Sequence, residues 1–281
     1  MQIIRAIRKM QTASRKLASQ GKIIGLVPTM GFLHEGHVSL IRRARKRADV
    51  VVVSIFVNPA QFGPKEDFDK YPRDEKGDLR KIKLAGGDIV FMPPVDEIYP
   101  EGFETYVSVE SLSRSFEGAS RPGHFRGVTT IVSKLFNTIR PDIALFGMKD
   151  YQQAIVLKQM VRDLGYPIKM EIAPTVREED GLAMSSRNKY FDEFQRWEAV
   201  ALYYALRTAG EMVKSGETRT ARIEKEMRST ILATCPTAEI DYIAFTDFNS
   251  LKPVKKVTKN IIASLAVRIH GVRLIDNMKL L

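Results

Sequence analysis

The chain has 281 residues with 44% hydrophobic and 27% charged residues, which fits a globular protein with one large domain and a smaller one. Its net charge of +11 suits anionic ligands such as nucleotides, and because its basic residues are spread over predicted helix faces, we expect small anions and no nucleic acid. Its single cysteine excludes an internal disulfide framework, and no stretch approaches a membrane span, so we expect a cytoplasmic protein without a membrane partner.

The opening segment, residues 1–21, is basic with scattered apolar residues and is interpreted as a first helix. A transit peptide is the alternative, while the apolar core of a secretory signal is missing. Residues 23–27 are an apolar run of strand length, closed by Pro28 and a short loop that holds Gly31 and Gly36.

A helix is predicted after this loop, because His37, Leu40, Ile41 and Ala44 have helical spacing. Residues 50–57 are then largely apolar, as is typical of a parallel strand buried on both faces. The three segments predict a strand–helix–strand unit. Its first loop lies at the carboxyl edge of the sheet, where the N–H groups of the helix N-terminus favour a phosphate.

Two histidines, His34 and His37, occupy this position. If both lie in the first helical turn, their spacing of three points the side chains the same way. Imidazole can donate a hydrogen bond to a phosphate oxygen and, when protonated, neutralise charge on a departing pyrophosphate. The alternatives are two surface histidines or a zinc pair that lacks its third ligand.

Asn58 and Gln61 follow the next strand in a loop rich in proline and glycine, again at the carboxyl edge. Asn58 is either a turn former or a substrate-binding amide. For Gln61 we prefer substrate binding, because glutamine has no special role in turns.

The alternation of helices and strands continues beyond this loop. We predict a helix over residues 74–85, strands over residues 89–92 and 103–109, and a glycine-rich loop over residues 118–127. Arg121 in this loop could clamp a phosphate, although loop arginines are more often solvated.

A helix over residues 128–139 and a strand over residues 143–146 form the next step of the sheet. The loop that leaves this strand brings Lys149 to a helix N-terminus, which suits a phosphate. Asp150 either caps that helix or holds a ribose or a metal, and the two roles are compatible.

The pattern changes near residue 175. Residues 175–188 gather hydroxyls, amides and a guanidinium, a composition able to wrap a triphosphate. Beyond them, helices over residues 193–214 and 218–234 precede three short strands. We therefore predict an α/β protein with a Rossmann-like doubly wound parallel sheet in residues 1–175. A smaller C-terminal α+β domain, residues 176–281, is expected to act as a lid over the nucleotide site.

The motif from Pro28-Thr29-Met30-Gly31 to His34-Glu35-Gly36-His37 carries a family resemblance. It is similar to the signature of the class I aminoacyl-tRNA synthetase and nucleotidyltransferase superfamily. Its exact residue sequence resembles the motif of the pantothenate synthetase family. The resemblance covers essentially the whole chain and recurs in five separated motifs.

This resemblance implies an ATP-dependent ligase with the larger domain also binding pantoate. (R)-Pantoate and ATP would give pantoyl adenylate and pyrophosphate, and β-alanine would then give pantothenate and AMP. Mg²⁺ would assist, and the family implies a homodimer.

The resemblance also implies roles for individual residues. His37 matches the general acid, and His34 and Lys149 are expected to join it as catalytic residues. Gln61 and Gln153 match pantoate-binding glutamines, with Gln61 also near β-alanine. We group Asn58 and Arg121 with them, and Asp78 matches a family metal position weakly. The implied ATP-binding residues are Met30, Gly31, Phe32, Leu33, His34, Glu35, Gly36, His37, Gly147, Met148, Lys149, Asp150, Val176, Met184, Ser185, Ser186 and Arg187.

Two positions depart from the pattern. Met148 stands where the family often has Glu or Gln, so only backbone contacts are expected there. Met184-Ser185-Ser186-Arg187 stands where tRNA synthetases carry Lys-Met-Ser-Lys-Ser, and Arg187 must supply the charge of the missing second lysine.

Two rival hypotheses remain open. An adenylyltransferase would use the same nucleotide loop but needs a cationic site for a phosphorylated acceptor in place of Gln61 and Gln153. An RNA-binding module would use the +11 charge in a salt-dependent way and would not turn over ATP.

Overall fold

The computed structural model describes residues 1–64 and 66–280, and these form two compact units. The larger unit comprises Met1–Gly147 and Val156–Pro174. The smaller unit comprises Met148–Ile155 together with the residues from Thr175 onwards. The sequence pattern gave no indication that Met148–Ile155 associates with the C-terminal residues.

Strands and helices alternate along the larger unit. Its elements are β1 (Gln2–Ile4), α1 (Ile7–Ser19), β2 (Ile24–Thr29), α2 (Glu35–Arg45), β3 (Val50–Ile55), α3 (Glu75–Ala85), β4 (Ile89–Phe91), α4 (Val95–Ile98), α5 (Glu117–Ser120), α6 (His124–Ile139), β5 (Ile143–Gly147), α7 (Tyr151–Asp163) and β6 (Lys169–Ala173). The start of α7, up to Ile155, belongs to the smaller unit. The strands form a six-stranded parallel sheet in the order β1-β4-β3-β2-β5-β6. The chain runs from β2 outwards to β4 on one side and from β5 to β6 on the other. The strand order therefore reverses between β2 and β5, which confirms the doubly wound α/β sheet.

The central strands are buried on both faces, which explains their apolar sequences. Leu26 of β2 and Val52 of β3 pack in one core cluster with residues of α1, α6 and α7. Val27 and Val53, one position further along, pack on the opposite face with residues of α2 and α3. Because both faces are covered, hydrophilic side chains of the central strands are confined to the strand ends.

The first predicted helix is only partly correct. Gln2–Ile4 forms the edge strand β1, paired in parallel with β4, and the helix begins at Ile7. The segment is short and carries one buried residue, Ile4, so its alternation was too weak to indicate a strand.

The predicted strand over residues 103–109 is wrong, because this segment pairs with side chains of α6 and with no other described strand. The Val107 N–H donates to Thr130 Oγ1 at 3.0 Å, and Thr129 Oγ1 donates to the Val107 carbonyl at 2.6 Å. Arg126 lies over the Tyr106 ring at 3.6 Å. The two threonine hydroxyls thus satisfy the N–H and carbonyl groups of Val107, which a neighbouring strand would otherwise bond.

The predicted loop over residues 118–127 is also wrong at both ends. Glu117–Ser120 is a short helix, and α6 starts at His124, four residues earlier than expected. Gly123 is the N-cap residue of α6, and its φ of 85° is a left-handed conformation that glycine adopts without strain.

The smaller unit combines helices with an antiparallel sheet. Its elements are α8 (Glu193–Glu198), α9 (Ala201–Lys214), α10 (Thr220–Thr234), β7 (Glu239–Asp247), β8 (Ile261–Ile269) and β9 (Val272–Lys279). The strands pair in the order β7-β8-β9, and one apolar cluster joins this sheet to α9 and α10. The expected single helix over residues 193–214 is two helices, which are separated at Ala199 and Val200.

Within residues 1–64 and 66–280, no helix combines the length and the apolar character that crossing a membrane requires.

Candidate active site

The loop between β2 and α2 is shaped by a buried carboxylate. Asp78 of α3 is 1% exposed, and its two oxygens accept the N–H groups of Phe32 and Leu33, each at 2.7 Å. Gly31 and Phe32 have φ of 84° and 50°, a left-handed path that turns these N–H groups towards Asp78. A Cβ on Gly31 would lie 3.1 Å from Asp78 Oδ2, so the loop also needs a glycine here.

Asp78 also organises the loop through its neighbour Lys81. Lys81 Nζ donates to the Leu33 carbonyl at 2.6 Å. Burial raises the pKa of the Asp78 carboxyl, while its two N–H donors and the Lys81 charge act in the opposite direction. These contacts support a structural role for Asp78 rather than the metal ligand expected from the sequence.

His34 and His37 cap the N-terminus of α2 reciprocally. His34 is the N-cap residue, and its Nδ1 accepts the Gly36 N–H at 3.2 Å. His37 Nδ1 accepts the His34 N–H at 3.3 Å. Because both Nδ1 atoms are acceptors, a neutral imidazole at either position carries its proton on Nε2. The ring centroids are 4.1 Å apart, so the two histidine rings lie side by side at the N-terminus of α2.

Asn58 is a structural residue that holds Gln61. It is 1% exposed, and its Oδ1 accepts from Tyr99 Oη at 2.7 Å and from the Ala60 N–H at 3.3 Å. Its Nδ2 donates to Gln61 Oε1 at 3.1 Å. This supports the turn-forming alternative for Asn58, although the amide also orients the glutamine.

The Gln61 amide is oriented by one strong and one weak partner. Its Oε1 accepts from Asn58, whereas its Nε2 donates to Met30 Sδ at 2.9 Å. A thioether is a weak acceptor. A carboxylate or hydroxyl oxygen of a ligand would therefore be a stronger partner for Gln61 Nε2.

The turn Pro59–Gln61 packs directly on the backbone of α6. A Cβ added to Gly127 would lie 2.1 Å from the Ala60 carbonyl oxygen and 2.6 Å from the Gln61 nitrogen. Asn58 Nδ2 also donates to the Gly127 carbonyl at 3.1 Å. Only glycine permits this approach, so the position of Gln61 depends on α6.

Arg121 is engaged by a carboxylate. Its Nε and Nη2 donate to the two oxygens of Glu66, each at 2.7 Å, and Nη2 also lies 3.3 Å from the Gln61 carbonyl. Burial alone would raise the pKa of Glu66, but the hydrogen bond and charge of Arg121 outweigh it and hold the pKa at about 2. The arrangement favours a role near Gln61 over the expected phosphate clamp.

In the smaller unit, Asn277 of β9 fixes the turn Met148–Asp150. Its Nδ2 donates to the carbonyls of Met148 and Lys149, each at 2.9 Å. The Lys149 ammonium lies 3.5 Å from Asp150, and its side chain is 22% exposed. The turn is thus held from behind by β9, which orients the backbone contacts expected at Met148.

A buried ion pair anchors the start of residues 175–188, here called the linker, within the same unit. Arg177 donates to both oxygens of Asp276, at 2.6 Å and 3.0 Å, and lies over the Tyr203 ring. Burial raises the pKa of the Asp276 carboxyl, and the hydrogen bond and charge of Arg177 oppose this shift. Breaking such a pair would leave a buried charge, so the linker is held firmly to β9.

Residues 176–184 form a tight hairpin. The Met184 N–H donates to the Val176 carbonyl at 3.1 Å, and the Glu178 N–H donates to the Leu182 carbonyl at 2.9 Å. The Val176 carbonyl is thereby engaged within the hairpin. A backbone contact of Val176 with adenine would consequently involve its N–H group.

The hairpin continues into the predicted phosphate segment. Ser185 Oγ accepts the Arg187 N–H at 3.3 Å and caps the short 3-10 helix Ser186–Tyr190. Asn188 Nδ2 donates to Glu178 Oε1 at 2.7 Å and to the Ala183 carbonyl at 3.1 Å. The segment is therefore braced by hydrogen bonds within its own unit.

In the part of the chain that the structure describes, one group of side chains has the spacing of metal ligands. Glu198, Cys235 and His270 bring one ligand atom each to within 4.8 Å of one another. His270 Nε2 is in direct contact with Glu198, however, so a histidine–carboxylate hydrogen bond occupies this position. Asp150, with its carboxylate 47% exposed, is a better fit for Mg²⁺ that arrives with a nucleotide.

The predicted site residues divide between the two units. Those of the larger unit are Met30, Gly31, Phe32, Leu33, His34, Glu35, Gly36, His37, Asn58, Gln61, Asp78, Arg121 and Gly147. Those of the smaller unit are Met148, Lys149, Asp150, Gln153, Val176, Met184, Ser185, Ser186 and Arg187. In the larger unit most of these residues lie in the loop before α2 and its first turn, and in the smaller unit most lie in the turn Met148–Asp150 or in residues 176–188.

The residues that support these turns were not predicted from the sequence. They are Glu66, His124, Arg177, Asp276 and Asn277. Asp276 and Asn277 interrupt the alternation of β9, and both are buried. Such adjacent buried polar residues in a strand were the available signal. Nothing local to Glu66 indicated its partner.

The histidine cap lies at the point where the strand order of the parallel sheet reverses. This position is typical of α/β proteins that bind an anionic ligand at the carboxyl edge of the sheet. Comparison with protein families identifies the protein further. The family model described as Pantoate-beta-alanine ligase matches residues 2–279, and the chain belongs to this family.

Curated relatives and solved structures agree with this assignment. The pantothenate synthetase of Moorella thermoacetica is 53% identical over 280 residues, covering 100% of this chain and 98% of the relative. That of Thermosipho africanus is 50% identical, with 99% of each chain covered. The crystal structure of pantothenate synthetase from Thermus thermophilus matches with a TM-score of 0.94 and 42% identity, over 100% and 99% of the two chains.

A ligand complex from the same family is also similar. The Francisella tularensis pantoate-beta-alanine ligase, described as complexed with beta-gamma ATP and beta-alanine, matches with a TM-score of 0.84 and 35% identity. The alignment covers 99% of this chain and 97% of that one.

We predict that Asp78→Ala disorders the loop of Phe32 and Leu33. A buried N–H group of Leu33 and a partly buried one of Phe32 would lose their acceptor, which costs about 1–3 kcal/mol in the free energy of unfolding for a buried group. Denaturant unfolding measures this loss, and Asp74→Ala, which removes an exposed helix cap from the same α3, is the control. Unchanged stability, together with a specific loss of Mg²⁺ dependence, would restore the metal role for Asp78.

Proposed function

We propose that the protein catalyses the ATP-dependent condensation of (R)-pantoate with β-alanine to pantothenate, releasing AMP and pyrophosphate. The observation that carries this proposal is the reciprocal histidine cap of α2, in a chain that matches the Pantoate-beta-alanine ligase family from residue 2 to residue 279. The ligands named for the Francisella tularensis relative supply the substrate classes ATP and β-alanine.

The chemistry requires activation of the acid. A carboxylate is attacked poorly by an amine because its leaving group is poor, whereas a pantoyl adenylate has AMP as a good leaving group. Adenylation needs the pantoate carboxylate in line with the α-phosphorus and donors for charge that develops on pyrophosphate. No protein nucleophile is needed.

His34 and His37 are assigned the role of donors to the phosphates. With Nδ1 of each ring accepting a backbone N–H, each neutral ring carries an Nε2–H donor. His37 acting as a general acid would require a protonated ring, which gives up the Nδ1 contact. The cap therefore favours hydrogen-bond donation by the neutral histidines over proton transfer.

Lys149 is assigned to the β- and γ-phosphates, and Arg187 and Ser185 to the same groups. Mg²⁺ bound to the nucleotide would neutralise phosphate charge, and Asp150 is the carboxylate that fits it. Gln61 and Gln153 are assigned to pantoate. The weak partner of Gln61 Nε2 supports this assignment, because pantoate offers carboxylate and hydroxyl acceptors.

The adenylyltransferase alternative is less well supported. It needs a cationic site for an acceptor phosphate, and Arg121, which lies beside the Gln61 carbonyl, is already neutralised by Glu66. The RNA-binding alternative gives no role to the histidine cap.

We predict that His34→Ala and His37→Ala each lower turnover by roughly 10²-fold, as expected when a transition-state donor is lost. His270→Ala, at the tip of the β8–β9 hairpin, is the control and should keep its turnover. Circular dichroism verifies the fold of each variant. Near-normal turnover of both cap variants would contradict their assigned role.

The adenylate mechanism has its own test. Labelled pyrophosphate should exchange into ATP in the presence of pantoate and the absence of β-alanine, because no group from the amine is needed for the first step. An adenylyltransferase would support exchange with its own acceptor and not with pantoate. Exchange that requires β-alanine, or release of ADP, would rule out the mechanism.

We further propose that residues 176–281 act as a lid on the nucleotide. The internal bracing of residues 176–188 supports movement as a rigid segment of the smaller unit. Hydrogen exchange of this segment should slow in the presence of a non-hydrolysable ATP analogue, with β6 as the internal control. Equal exchange with and without a saturating analogue would reject the lid.

The proposal includes a homodimer, which rests on the family resemblance, and a cytoplasmic location, which rests on the composition of the chain. Sedimentation equilibrium of the purified protein should give twice the chain mass of 31.8 kDa. A single-chain mass across the concentration range would reject the homodimer.

A further inference from the structure

A chain of hydrogen bonds runs from Glu66 to the backbone of Gln61. The Gln61 carbonyl accepts from His124 Nδ1 at 2.8 Å and lies 3.3 Å from Arg121 Nη2. Arg121 Nη1 lies 3.1 Å from His124 Nε2. Glu66 holds the other edge of the guanidinium with both oxygens.

The tautomer of His124 follows from these partners. A guanidinium can only donate, so His124 Nε2 must accept from Arg121. The proton of the ring then lies on Nδ1 and is donated to the Gln61 carbonyl. Burial, followed by the neighbouring Arg121 charge, lowers the pKa of His124 to about 4, so the ring is neutral at pH 7.

Each of the three side chains, Glu66, Arg121 and His124, has hydrogen-bond partners. Glu66 also accepts the Gly63 N–H at 3.2 Å, which closes the loop after Gln61. The side chains of Arg121 and Glu66 are 15% and 25% exposed, and His124 is 8% exposed. A largely buried and satisfied network of this kind fixes the backbone that it contacts.

The side chain of Gln61 is thus held from two directions. Asn58 orients its amide, and the network of Glu66, Arg121 and His124 fixes its main chain. Since a thioether is the partner of Gln61 Nε2 among residues 1–64 and 66–280, the network sets where this donor meets a ligand.

We propose that Glu66, Arg121 and His124 are positioning residues for Gln61 and thereby control the affinity for the acid substrate. This inference deepens the proposed function and rests on it. Arg121 acts through Gln61 and has no direct contact with phosphate in this role.

The test uses pyrophosphate exchange with pantoate as the acid. His124→Ala should lower kcat/KM for pantoate by about 10- to 100-fold, the scale of loss when a substrate-binding group is misplaced. The KM for ATP should stay unchanged. His124→Asn should recover most of the loss, because its amide nitrogen can donate from near the Nδ1 position. Arg114→Ala, an exposed arginine paired with Glu110, is the control.

A double-mutant cycle with Gln61→Ala separates positioning from direct binding. If His124 and Arg121 act through Gln61, their substitution should cost little more once the glutamine side chain is gone. Full additivity of Arg121→Ala and Gln61→Ala, or a higher KM for ATP in Arg121→Ala, would overturn the inference.

Two further measurements cover the cases in which a variant does not fold or the wild-type protein shows no exchange. If His124→Ala does not fold, the same cycle is run with His124→Asn and Glu66→Gln, and additivity with Gln61→Ala again overturns the inference. If the wild-type protein shows no exchange with pantoate, the proposed function fails. The ¹⁵N spectrum of His124 then decides the network, since a charged ring or an Nε2–H tautomer at pH 7 contradicts it.

Discussion

The carboxylate of Asp78 is the contact on which the nucleotide loop depends. A chain that passes through left-handed conformations at Gly31 and Phe32 exposes consecutive N–H groups, and these need an acceptor when buried. The two oxygens of Asp78 are these acceptors, and Lys81 donates a hydrogen bond to the Leu33 carbonyl. The loop then delivers His34 to the N-cap of α2 in the conformation that the histidine cap requires.

In the larger unit, the loop that follows β3 is also restrained by surrounding groups. Asn58, Gly127 and the Glu66 network each restrain the turn Pro59–Gln61 without occupying the side-chain donor of Gln61. The smaller unit treats the Met148–Asp150 turn similarly through Asn277. In each case a buried polar side chain from a distant element satisfies the backbone of a functional loop, so the functional groups are held before any ligand arrives.

Sequence periodicity predicted the parallel sheet because its strands are buried on both faces and its helices have one apolar stripe. It also indicated the turns that carry His34, Gln61 and Lys149, since each follows the carboxyl end of a strand. It could not indicate the partners of those turns. Asp78 contacts Phe32 from 46 residues away and Arg121 contacts Glu66 from 55 residues away, and such pairings follow only from the folded chain. The strand predicted over residues 103–109 failed for the same reason, because α6 side chains replaced a neighbouring strand.

The association of Met148–Ile155 with the C-terminal residues has a consequence for the gene. The polypeptide crosses between the units at residues 147/148, 155/156 and 174/175, and helix α7 contains the second crossing. Neither unit is therefore a contiguous coding segment. A stop codon after residue 174 would strip Asn277 from the Met148–Lys149 turn and Phe248 from Tyr151, which hydrogen-bonds its carbonyl. Recombination between relatives would preserve these contacts only if both segments were exchanged together.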